Sequence, residues 1–135
     1  MDAATPSNRL IDQRLRNRIM EAILGLIDGD EGVDQVGATE WFEIFFDEFP
    51  YDGAPPRDNS AIDDGEWAAL APLVTAMQAA CRDTPARMSN AELKASGWPQ
   101  RIAPIARQAL RAFQARGRFS EEVEEQAPSL AKPWP

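Results

Sequence analysis

Carboxylates carry most of the chemistry this chain has to offer. Residues 19–81 hold fourteen acids against one base, Arg57, whereas residues 82–118 hold eight bases against Asp83 and Glu92. There is no histidine and only one cysteine, Cys81. That removes the commonest general base, zinc sites of mixed Cys and His, and Ser–His or Cys–His nucleophiles. An enzyme built from this chain would have to use carboxylates, Lys94, Lys132 or arginines.

Two stretches are acidic enough to consider, residues 28–34 and 47–52. DGDEGVD, at 28–34, invites comparison with a calcium-binding loop, which wants acids or amides at positions one, three and five, glycine at six and glutamate at twelve. Counting from Asp28, position five is Gly32, position six is Val33 and position twelve is Thr39. The pattern fails at three demanding places. The expectation is therefore a solvated turn whose acids favour the positive N-terminus of the next helix, with no metal and no cofactor. A small carboxylate enzyme or a hard-metal-binding protein centred on these two stretches stands as the alternative. Cys81, on an apolar helix face with no histidine to activate it, reads as a small buried hydrophobe.

Segment 40–52 is the more informative one. Trp41, Phe45 and Phe49 step by four with Phe42 and Phe46 beside them, while Glu40, Glu43 and Asp47 form a separate acidic stripe. The plain reading puts the aromatics in the core and the acids in water. The sharper one holds that the strip is more apolar than one helix face can bury, leaving an aromatic beside acids as a protein-binding hot spot. On that reading the interaction residues are Glu40, Trp41, Glu43, Phe45, Asp47, Glu48 and Asp52. The leading expectation is a non-enzymatic intracellular interaction protein with an acidic binding face, of the inhibitor or immunity type, for a basic protein partner.

A third reading comes from SNAELKASGWPQRIAPIARQAL, which has the outline of a helix–turn–helix with Gln100 and Arg101 near the start of its longer helix. Any two helices joined by a glycine share that outline. A net charge of −8 also repels phosphate, which disfavours nucleic acid.

The elements that must position these residues are helical. Ile11, Leu15, Ile19, Ala22, Ile23, Leu26 and Ile27 recur at helical spacing, with Arg14, Asn17, Arg18 and Glu21 on the other face. Helices are expected at about 8–28, 36–49, 64–82, 90–96 and 99–117, with capping-box spacing at Asp63/Glu66 and Ser89/Glu92. Pro72 should kink or split the third. The fold class is all-α, a compact single-domain bundle of four to six helices, preceded by a flexible N-terminus (1–7). The helical domain spans 8–118, and an acidic turn with a Pro-containing tail follows (119–135). If the first two helices are antiparallel neighbours, Asp47, Glu48 and Asp52 should approach Arg9, Arg14 or Arg16. No apolar run reaches the roughly 18 residues a membrane span needs. The opening MDAATPSNRL lacks a signal-peptide design, so the expected location is the cytoplasm.

Overall fold

The computed structural model describes residues 5–85 and 87–130, and six helices form among them. They are α1 (Asn8–Leu24), α2 (Asp30–Val36), α3 (Ala38–Phe46), α4 (Asp64–Asp83), α5 (Asn90–Ser96) and α6 (Trp98–Gln114). The domain is all-α. No strand forms among the described residues; the one ladder-like contact is an isolated antiparallel bridge between Arg118 and Leu130.

Local chemistry explains most of the boundaries. Ser7 caps α1 by accepting from Leu10 N, and full capping boxes open α4 (Asp63 with Glu66) and α5 (Ser89 with Glu92). Gly97 takes a left-handed conformation between α5 and α6, the geometry of the expected glycine turn.

Two expectations need correcting. Residues 28–34 are not merely a turn: α2 begins at Asp30, with Asp30 and Glu31 in its first turn, where the helix dipole favours acids. Gly37, at φ 92, breaks the expected single helix 36–49 into the end of α2 and the whole of α3. Of the two outcomes expected at Pro72, a kink or a split, the split does not occur, since α4 runs unbroken through it. Ala68 and Pro72 both lie on the solvent side, so water can serve the carbonyl that proline leaves without its partner.

The core is built around α6, which packs against α4, α1, α5 and α2. Ile102, Ala106, Ala109, Leu110 and Phe113 of α6 meet Leu70, Leu73 and Met77 of α4, Met20 and Ile23 of α1, and Leu93 of α5 in one cluster. Trp41, Phe45 and Phe49 join that cluster from α3 and the turn after it.

Beyond α6 the chain is part of the domain rather than a loose tail. Phe119 is fully buried, and residues 118–130 lie across α1. Gln13 donates to Ser120 O and Val123 O (both 2.9 Å), Arg14 to Glu121 O (2.8 Å), and Arg9 to Glu125 O (2.8 Å). Asn17, expected on the wet face of α1, is therefore covered, and Asp12, Gln13 and Arg16 are buried with it; Arg18 and Glu21 stay exposed as expected. Within the expected flexible and tail segments, residues 1–4 and 131–135, including Lys132, lie outside the described residues.

Candidate functional site

The outward side of α3 gathers the acids. Glu40, Glu43 and Asp47 are exposed and recur once per turn, whereas Ala38, Trp41 and Phe45 face inward. Trp41 is 1% exposed and Phe45 0%. Neither can serve as a surface anchor, so the expectation that one of them lies open beside the acids is corrected. Burial follows from composition: α3 is short, and its aromatics at four-residue steps are the bulk that fills the gap beside α1. Phe45 stacks on Phe49 at 4.8 Å between centroids.

The aromatic that does reach solvent is Tyr51, 67% exposed, its ring meeting Phe46 edge-on at 6.4 Å. It was visible in the sequence but, sitting just past Pro50, it fell outside any helical pattern. Asp52 beside it is exposed as well.

The electrostatics of this face are uncompensated. Among the described residues, no lysine or arginine forms an ion pair with Glu40, Glu43 or Asp47. Glu43 lies within hydrogen-bonding reach of Glu40; that contact, the charge of Glu40 and then of Asp47 raise its carboxyl above the ordinary range. Glu48, half-buried, is raised chiefly by burial, against the charge of Arg18 and with that of Asp47 and Glu21. The proposed match with Arg9, Arg14 or Arg16 does not form. Arg9 and Arg14 are taken by carbonyls of residues 121–126 and by Ser60, and Arg16 by Glu66. α3 does touch α1, but its acidic end lies near Arg18, in the second half of α1, so the basic first turns of α1 meet the C-terminal segment and α4 instead.

A groove of about 190 Å³ runs along one flank of the acidic ridge, between α3 and the end of α4. Ala38, Phe42, Cys81, Pro85 and Met88 give it an apolar lining, and Glu43 stands at its edge. On the other flank a cleft of about 140 Å³ brings Asp47 and Glu48 near Arg57 and Trp67. At that volume it falls well short of the roughly 300–1,000 Å³ of small-molecule sites. A more open depression of about 520 Å³ brings Asp12 and Asp58 together, but Asp12 there is already paired with Arg57 at 2.7 Å.

The other acidic stretch is spent differently. Asp34 pairs with Lys94 at 2.8 Å, and no group of three or more Asp, Glu, Cys or His side chains among the described residues is placed to share a cation. At the helix–turn–helix outline, Gln100 is exposed. Arg101 folds back over Trp98, 3.9 Å from its ring centroid, and donates to Ser96 O and Gly97 O.

One polar cluster is interior. Glu66, 2% exposed, receives Arg16 Nη2 at 2.6 Å on one carboxylate oxygen and Arg116 Nη2 at 2.6 Å on the other. Arg16, fully buried, also donates to Gly117 O (2.7 Å) and Phe113 O (3.2 Å). Burial works against the charge on Glu66, but the hydrogen bonds from Arg116 and Arg16, the Arg16 charge and the Asp63 N–H outweigh it and hold its carboxyl below the ordinary range. Every oxygen and most N–H groups here are satisfied within the chain, which makes the cluster architectural. Glu66 was legible as a helix cap; its arginine partners, 50 residues away on either side, left no local signal.

No helix among the described residues is long and apolar enough to cross a membrane. Comparison of the chain with known protein families, curated proteins and solved structures found no match.

Proposed function

We propose that the outer face of α3 binds a basic protein partner and that the chain acts by occupying that partner rather than by catalysis. The observation that carries this reading is the unpaired acidic ridge of Glu40, Glu43 and Asp47 lying beside an apolar groove. Elsewhere the chain matches several of its acids internally: Asp12 with Arg57, Asp34 with Lys94, Glu66 with Arg16 and Arg116. On α3 it crowds like charges instead, and a cationic surface would relieve that repulsion.

The division of labour follows. The ridge, with Glu48 and Asp52 at its end, accelerates encounter by long-range attraction, a gain that salt screens. The groove lined by Phe42 and Met88, together with exposed Tyr51, supplies apolar burial, which slows dissociation. Tyr51 takes the anchoring part that Trp41 and Phe45, being core, cannot play.

The test is a charge reversal. Immobilised chain captures its partner from native cytosol, and the association rate of the captured protein is measured at rising ionic strength. The rate is expected to fall steeply with salt for the natural chain. It should be slow and nearly flat for the Glu40→Lys, Glu43→Lys, Asp47→Lys variant, whose circular dichroism should be unchanged. A reversed variant that captures the same partner at the original rate would overturn the reading.

A further inference from the structure

The outward face of α4 is unlike the rest of this highly charged surface. Residues 67–81 form the longest stretch of the chain without a charged side chain. Ala68, Ala71, Pro72 and Thr75 stand exposed on it, with Trp67 and Val74 half-buried beside them. On that flank the groove floored by Leu70 and walled by Pro55 and Pro56 continues the apolar surface, with a volume of about 230 Å³. The stripe has charged ends of opposite sign. Asp64 and Arg82, both exposed, lie eighteen residues apart, five full turns, so they fall on the same line as Ala68, Ala71 and Thr75. Neither forms an ion pair among the described residues.

We propose that this face of α4 is the contact between two copies of the chain, arranged antiparallel about a two-fold axis. Antiparallel packing brings Asp64 of each copy to Arg82 of the other, so one charge match is made twice, as an isologous interface requires. Small side chains in the middle let the two helix axes approach to the short end of the usual 8–10 Å. Charge complementarity selects a second copy over a foreign protein. A chain carrying −8 meets itself most easily through a neutral face, and the opposite charges of Asp64 and Arg82 at its two ends cancel under the two-fold.

Sedimentation velocity of the full chain over a range of concentrations tests it. The natural chain should move reversibly toward twice its monomer mass. Asp64→Arg and Arg82→Asp alone should each weaken association about tenfold or more, since each places like charges together at two symmetry-related points. The double variant Asp64→Arg/Arg82→Asp restores the match and should recover association. Because Asp64 lies in the first turn of α4, where a base opposes the dipole, circular dichroism of each variant checks that the helix persists. Ala71→Glu, in the exposed centre, should keep the chain monomeric and gives an independent reading. A natural chain that stays monomeric overturns the proposal and leaves the face to a foreign partner. A dimer indifferent to Ala71→Glu, or a double variant no better than its single parents, overturns it too.

Discussion

Glu66, at the start of α4, and Glu43, on the outer side of α3, carry the same carboxylate in opposite settings. Glu66 is sealed between Arg16 and Arg116 and is held ionised. Glu43 stands in water among Glu40 and Asp47 and takes up a proton more readily than an isolated glutamate. The interior site neutralises its charge within the chain and spends it on holding α1, α4 and the segment after α6 in register. The surface site leaves its charge unmatched. An acid's contribution here is set by which cations the fold brings to it.

The largest expected effect comes from breaking the interior site. Glu66→Ala removes the counter-charge from a fully buried Arg16 and should cost about 3–5 kcal/mol in urea unfolding. A loss no larger than that of Glu43→Ala would erase the distinction between the two carboxylates.

Phe119 tests the shield around that site. Its ring lies 5.2 Å from the Arg16 guanidinium, 5.6 Å from that of Arg116 and 5.1 Å from that of Arg9. Phe119→Leu keeps an apolar side chain but loses the ring; cation–π contacts of this kind contribute about 0.5–2 kcal/mol. A stability loss in that range in the same assay is expected. No loss would mean that the ring acts only as bulk.

The pH dependences should have opposite signs. The Glu66 carboxyl is lowered by folding, so its stabilisation is present above the ordinary carboxylate range and is lost as pH falls through its depressed value. The Glu43 carboxyl is raised, so its contribution is fully present below the ordinary range and lost as pH rises through its elevated value. Melting temperature followed from neutral to acid pH should fall less steeply for Glu66→Gln than for the natural chain. For Glu43→Gln it should fall slightly more steeply. Parallel profiles for all three proteins would contradict both assignments.

The smallest effect is expected on the surface. Reversing Glu40, Glu43 and Asp47 to lysine should leave the urea unfolding midpoint nearly unchanged, because they are exposed and unpaired. Chelation with EDTA should leave the melting temperature unchanged; a clear drop would add a metal-matched carboxylate as a third setting.

These contrasts also mark what could be read from the chain. The acidic stripe was legible because period alone sorts Glu40, Glu43 and Asp47 away from Trp41 and Phe45, and the structure keeps that sorting. Whether the aromatics were covered was not, since it depends on how much of α1 and α6 reaches them. The boundary errors at Gly37 and in α2 arose because an acidic, glycine-containing segment suits a turn and a short helix equally well until neighbours cover Val33.

The sequence by itself determined the all-α class, the capping boxes at Asp63 and Ser89, the glycine turn at Gly97 and the apolar faces of α1, α4 and α6. Those features rest on contacts within a few residues, where spacing and side-chain type suffice. Only the tertiary structure decided that Asp12, Gln13, Arg16 and Asn17 turn inward, that the segment after α6 closes over them, and which acids find arginines. Such pairings join residues 45 to more than 100 positions apart, and no local pattern encodes a partner at that distance.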